Sequence, residues 1–314
     1  MSPRIGHLGL RLPLMAAPMS IASSRELVSA AACAGILGCF PTHNAHRAGG
    51  LAQWIQSISD EISRARDEGV QTGQFAVNIN ASRHKPAALL KEELDICRKA
   101  KLEIVTTNAG NPSDIVSQVH DWGGIVIHDA TTVEQAEKAA EAGVDGLMLV
   151  CAGAGGLAGA LSPFAFVPKV RSFFDGIIQL AGGAADGASI AAAEFLGADM
   201  VCMGTRFIAT QESGAPEGHK HMLVEARMKD VLWTDQIAGI GANFLIPSIV
   251  GNGLDPSALP DRLPDGIKPW SMVWSGGQSA ALVADVPDVQ QLVERLESEY
   301  QDAIQQFCQM PRIG

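Results

Sequence analysis

Residues 177–187 read IIQLAGGAADG, and Met203-Gly204-Thr205-Arg206 follows one helix-length later. In each segment glycine comes directly after a short apolar run with the character of a buried strand. Two such strand-to-glycine junctions, one βα unit apart, bring two sets of bare backbone N–H groups together. That is how a parallel barrel holds a single phosphate, between the loops after its seventh and eighth strands. The fold follows from whether these runs are the seventh and eighth of their kind.

Counting outward, short runs rich in Val, Ile, Leu and Met lie at residues 12–16, 36–39, 75–78, 104–106, 125–127, 146–150, 177–181 and 200–203. They suit strands buried on both faces. Helical patterns separate them. Residues 51–68 carry Leu51, Trp54, Ile55, Ile58 and Ile62 at helical spacing. Residues 86–100 open on a proline, as helices tolerate. Thr131-Thr132-Val133-Glu134 offers a threonine cap with an acid in the first turn. Eight strands alternating with helices predict an α/β (β/α)8 TIM barrel. A doubly wound open sheet is the alternative, and eight units before residue 207 favour closure. The pattern then changes. Residues 217–231 form a charged helical stretch, and 246–269 are loaded with Pro, Gly and Asp. We expect residues 208–269 to be a small, mainly helical insertion or lid after strand eight. The barrel then comprises 1–207 and 270–314, ending in an amphipathic helix over 286–307.

The 314 residues are 47% hydrophobic, 5% aromatic and carry a net charge of −11. That charge disfavours nucleic acid and anionic membrane as partners. Cys33, Cys39, Cys97, Cys151, Cys202 and Cys308 are scattered, without CxxC or histidine at ligand spacing. They read as reduced thiols, not as disulfides or a metal site. No apolar run resembles a signal or a membrane span, so a cytoplasmic location is expected.

In a parallel barrel, chemistry sits at the C-terminal strand ends. The residues there are Ala17, Pro18 and Met19; His43 and Asn44; Asn78 and Asn80; Thr107 and Asn108; His128 and Asp129; and Cys151 through Gly159. Asp129, beside Thr131, reads as a cap for the next helix. There is no carboxylate pair, no nucleophile beside a base and no metal cluster. A mouth so poor in acid–base groups, with a phosphate site, points to chemistry supplied by a cofactor. Asparagine both donates and accepts, which suits the edge of a flavin ring.

LPLMAAPMS, FAVNIN, AGAGGLAG, AGGAADG, MGTRF and WSGGQ occur in this order along almost the whole chain. Together they resemble the nitronate monooxygenase (2-nitropropane dioxygenase) family of FMN-dependent TIM-barrel oxidoreductases, related to flavin-type enoyl-ACP reductases. The resemblance implies one non-covalent FMN. Ala17, Pro18 and Met19 would pack at its ring and Asn78 would bond the ring edge. Gly182 and Gly183, with Met203, Gly204 and Thr205, would hold the phosphate. Gly155, Gly156, His128 and Gln278 would complete the binding set. The usual reaction oxidises a nitronate or similar carbanion-like substrate with O2.

One departure bears on mechanism. Family members usually carry histidine after strand six, in a run like GGH-x-G, as proton acceptor or donor. Here the run is Gly155-Gly156-Leu157-Ala158-Gly159. Leu157 moves no proton, so a preformed nitronate is expected to be a better substrate than its neutral nitroalkane. His128 and His43 are the candidate replacements. The alternatives are an NAD(P)H-dependent ene, enoyl or quinone reductase on the same barrel, and a flavin-binding protein whose catalysis has decayed. A small-molecule substrate is expected, and a homodimer is compatible with this reading.

Overall fold

The structure, a computed structural model, describes residues 2–310. Eight parallel strands close into a barrel. They are β1 (Leu14–Ala16), β2 (Leu37–Pro41), β3 (Phe75–Asn80), β4 (Ile104–Asn108), β5 (Ile125–Ala130), β6 (Gly146–Val150), β8 (Ile177–Ala181) and β9 (Met200–Met203). Closure is made by β1 pairing with both β2 and β9, with Leu14 opposite Val201 and Ala16 opposite Met203. The strands that hold the paired glycine junctions are thus the seventh and eighth of the barrel. The intervening β7 (Gly156–Leu157) is a two-residue strand in the loop after β6.

The barrel wall separates two apolar layers. Inside lie Met15, Leu37, Cys39, Ala76, Ile104, Ile127, Met148, Ala181 and Met200. Outside, against the helices, lie Leu14, Val77, Val105, Val126, Leu147, Leu149, Ile178 and Val201. The two sets alternate along each strand, as the pleat requires. The outer ring contains α1 (Arg25–Cys33), α3 (Leu51–Asp67), α4 (Ala87–Lys99), α5 (Ser113–His120), α6 (Val133–Glu141), α7 (Pro163–Arg171), α8 (Gly187–Leu196) and α12 (Val289–Gln309). Several starts are set by side-chain caps: Ser24 Oγ accepts the Leu27 N–H and Thr132 Oγ1 the Gln135 N–H. At the base, a 3₁₀ turn over Pro3–Leu8 places Ile5, Leu8 and Leu10 in the interior layer. The sequence reading did not anticipate this plug.

Between β9 and α12 the chain leaves the barrel. It forms α9 (Thr205–Ile208), α10 (Glu217–Glu225), β10 (Val231–Thr234), β11 (Ala242–Leu245) and α11 (Ile246–Gly251). The insertion therefore adds a pair of strands to the expected helices. Its VLWT and ANFL runs are β-branched and aromatic, and they pair as an antiparallel hairpin. This hairpin recruits β7, with Leu157 opposite Ala242 and Gly156 opposite Asn243. Residues 252–273 are largely irregular. The insertion has apolar clusters of its own, one around Leu223 and Leu245 and one around Phe244 and Ile249.

Candidate active site

A cavity of about 1050 Å³ opens at the C-terminal ends of the strands. Gly182, Gly183 and Ala184 after β8, and Gly204 and Thr205 after β9, form one side of it. Gly182 and Gly183 adopt φ of 131° and 84°, conformations that favour glycine. A Cβ placed on Gly183 meets nothing within 4 Å. The backbone there faces open space, as a phosphate cradle requires. Asp186 already caps α8, accepting the Ser189 N–H at 2.8 Å, so that helix end is not available to an anion. Thr205 Oγ1 accepts the Gly277 N–H at 2.9 Å and lines the same side.

Ala17, Pro18 and Met19 form the neighbouring wall. Asn44 holds this loop from beneath. Its Nδ2 donates to Met19 O at 2.9 Å and Ser23 O at 3.0 Å, and its Oδ1 accepts the Ile21 N–H at 3.1 Å. Ile21 is held at φ 68°, which is costly for a β-branched residue. Ala109 at 56° and Trp270 at 66° also line the cavity. Strained backbone therefore collects around this space.

Polar groups come from β3, β4 and β5. Asn78 and Asn108 line the cavity, and Asn78 Nδ2 donates to Thr106 Oγ1 at 3.0 Å. Asn108 Oδ1 is buried without a hydrogen-bond partner. Such an orphan acceptor is costly unless a ligand donates to it. β5 extends past residue 127, the end expected from sequence, and reaches Ala130. His128 is thus still in the strand, opposite Leu147 of the outer layer, while Asp129 stands opposite Met148 of the inner one. His128 Nδ1 shares a hydrogen bond with Thr107 Oγ1 at 2.8 Å, and Thr107 has the same parity as outward-facing Val105. His128 therefore occupies the helix-side wall of the cavity and does not face the barrel axis. Burial pushes its pKa down to about 4. Asp129 does not cap α6, since Thr132 fills that role.

The roof comes from the insertion and the β6 loop. Leu157 lies partly buried against the interior layer and lines the cavity. Gly155 and Gly156 precede it, and both line the cavity. A Cβ on Gly155 would sit 2.6 Å from Gly277 N, so the two segments meet backbone to backbone. Trp270 stacks on Phe244 with centroids 4.9 Å apart. His219 of α10 bonds Ser275 O through Nε2 at 2.8 Å and stacks on Trp274 at 5.2 Å. It lines the cavity, and burial depresses its pKa to about 4.

Ala17, Pro18, Met19, Asn78, His128, Gly155, Gly156, Leu157, Gly182, Gly183, Met203, Gly204 and Thr205, all anticipated from sequence, thus converge on one cavity. Two do not. His43 is exposed on α2 (Thr42–Arg47) and shares a hydrogen bond with Ser20 at 2.9 Å, outside the lining. Gln278 is also exposed; its side chain lies against Gly153. Backbone pairing of Gln278 N with Gly153 O at 2.9 Å turns that side chain away, and Ser279 lines the cavity instead. Among the described residues no cluster suits a metal ion, and no helix is long and apolar enough to cross a membrane.

Residues 2–255 match the nitronate monooxygenase family. The chain belongs to that family. A nitronate monooxygenase from Paraburkholderia phytofirmans is 27% identical over 354 aligned residues, covering 96% of each chain. A point variant of FabK from Thermotoga maritima superposes with a TM-score of 0.76 at 25% identity, covering 98% of this chain and 99% of the other. A nitroalkane oxidase from Streptomyces ansochromogenes gives a TM-score of 0.78 at 22% identity, with coverage of 97% and 99%; it speaks for the shared fold. Family membership makes the protein an FMN-dependent oxidoreductase. The residues present fit the cofactor: an open glycine cradle for one phosphate, an orphan amide acceptor, and an apolar wall at Ala17–Met19.

Sequence reasoning missed His219 and underrated Asp129. His219 lay in the charged helical stretch over 217–231, and nothing in that pattern pointed it toward the barrel mouth. Asp129 was masked by a strand end set too early.

Proposed function

We propose that the protein oxidises a nitronate, or a comparable small carbanion-like substrate, with O2. The glycine junctions after the seventh and eighth barrel strands support this reading: Gly183 turns its backbone to open space beside the cavity, which suits one phosphate, and no second nucleotide fold is present among the described residues. Gly183 and Gly204 bring backbone N–H groups to the FMN phosphate. Asn78 and Asn108 would offer their amide groups to the flavin, which could give Asn108 Oδ1 the donor it lacks. Met19, Leu157 and Trp270, which line the same cavity, would help to exclude water from the bound flavin. FMN, when bound, takes up the substrate's electrons and passes them to oxygen.

The resemblance to flavin-type enoyl-ACP reductases supports one second reading, an NAD(P)H-dependent reductase. Anaerobic mixing of the yellow holoenzyme with ethyl nitronate, NADH and NADPH separates them. Rapid bleaching by nitronate and slow bleaching by both nicotinamides is the expected result. Rapid bleaching by NADH or NADPH alone would replace the first reading with the second. Denaturation is expected to release FMN and no FAD.

A further inference from the structure

Leucine at residue 157 leaves the site without its expected proton acceptor, yet the cavity holds an inward carboxylate. Asp129 is the penultimate residue of β5 and stands opposite Met148, whose side chain fills the barrel interior. Alternation aims Asp129 toward that interior, with His128 on the opposite side of the strand. Asp129 is half-buried and lines the cavity. Its carboxylate accepts the backbone N–H of Ala109, which the chain holds at φ 56° just after β4. A non-glycine residue in that conformation costs free energy, which the loop tolerates while presenting an N–H to the acid.

We infer that Asp129 is the catalytic base that takes the α-proton of a neutral carbon acid, such as a nitroalkane, in this cavity. The inference rests on the proposed nitronate chemistry. In the step, the α C–H bond breaks and the proton passes to a carboxylate oxygen of Asp129. The electron pair left on carbon delocalises into the nitro group and yields the nitronate. The enzyme thereby makes the species it oxidises, and water later takes the proton from Asp129.

The surroundings favour this role. Burial raises the Asp129 pKa to about 7, outweighing the Ala109 hydrogen bond that lowers it. A base poised there is strong enough to accept a carbon-bound proton and is still ionised in neutral solution. Among the described residues no ion pair engages the carboxylate. Met148 of β6 is paired opposite it, and Asn108 and Ala109 of β4 and its loop and Gly155 through Leu157 of the β6 loop line the same cavity. From the insertion comes His219, kept neutral by burial. Lys138 and Glu141 of α6 lie exposed at the outer lip of the cavity.

The test follows exchange of the α-protons of nitroethane with solvent in anaerobic D2O, by ¹H NMR, using holoenzyme and normalising to bound flavin. General-base assistance is typically worth roughly 10²–10⁴-fold. Wild type should exchange well above buffer, with a rate rising through pH ~7. Asp129→Asn should lower exchange by about 10²-fold or more, and Asp129→Glu should retain part of it. The ¹³C carboxyl resonance that disappears in Asp129→Asn should titrate near 7. Exchange by Asp129→Asn at the wild-type rate, no exchange by wild type above buffer, or a carboxyl titrating in the ordinary range near 4 would each overturn the assignment. Failure of ethyl nitronate to bleach the flavin while Asp129-dependent exchange persists would remove the oxidation reading and leave the base in place.

Discussion

At the scale of single residues, two glycines decide what the cavity holds. Gly183 presents its backbone to open space at φ 84°, and Gly204 sits with Met19 Sδ only 3.4 Å from where a Cβ would be. Gly183→Asp would put a carboxylate where the phosphate belongs and force a side chain into a disfavoured φ. Flavin content after purification should fall below a tenth of the wild-type value, read from the absorbance ratio. Cys151→Ser is the control. Cys151 is fully buried in the outer layer, bonds Leu149 O, and does not line the cavity. Serine nearly preserves its size, so flavin should stay bound at a stability cost of about 1 kcal/mol. Retention of FMN by Gly183→Asp would displace the phosphate from this cradle.

Among elements, the joint between barrel and insertion matters most. β7 belongs by sequence to the barrel and by pairing to the insertion's hairpin. Asn243 of β11 reinforces the joint, donating from Nδ2 to Ala154 O at 2.7 Å while only 3% exposed. Asn243→Ala leaves that carbonyl without its donor and should cost about 1–3 kcal/mol. Because the bond positions the loop beside Leu157, flavin should also dissociate faster, which dilution fluorescence would detect. Unchanged stability and unchanged release would show that the strand pairing alone suffices.

The same element shows where sequence was legible. Val, Ile and Leu runs marked all eight barrel strands, since parallel strands buried on both faces need continuous apolarity. Paired glycines marked the phosphate loops, since their φ values admit little else. The 231–234 and 242–245 strands escaped because a short antiparallel hairpin in a polar, Gly-rich stretch has too few residues to show a period. His128 was placed in the mouth because β5 appeared to stop at residue 127. The three further residues of strand leave it at the cavity and fix which wall it holds, since side chains alternate along a strand and His128 shares the helix-side parity of Val126. By the same alternation Asp129 takes the interior side of the strand, and Thr132 caps α6 in its place.

For the whole molecule, buried ionisable groups set the pH range of stability. His128 and His219 have pKa values lowered from 6.5 to about 4. Their contribution is present above 6.5 and is lost as pH falls toward 4, where both must charge in the folded state. The loss should amount to about 1–3 kcal/mol per histidine. Asp129 acts with the opposite sign. Its pKa is raised from 3.8 to about 7, so its contribution is present at low pH and lost as pH rises through 7. Thermal melts of wild type should therefore weaken below pH 6, and Asp129→Asn should melt higher than wild type at pH 8 but not at pH 4. Equal melting temperatures at pH 8 would place Asp129 in ordinary solvent.

The ring of helices is completed late. α12 packs against both α8 and α1, filling the place of the barrel's eighth helix, and the entire insertion precedes it in the chain. During synthesis the eight strands emerge first, the roof second and the final piece of wall last. At a ribosomal pace of about 5–20 residues per second, the nascent barrel stands for several seconds with the outer faces of α1 and α8 bare. The apolar flank that α12 later covers, through Val289, Leu292, Val293 and Leu296, is then open to chaperones or to a neighbouring chain on the same messenger. Stop codons that remove this helix should thus divert the protein into aggregates before any flavin is met, however intact the cradle encoded upstream.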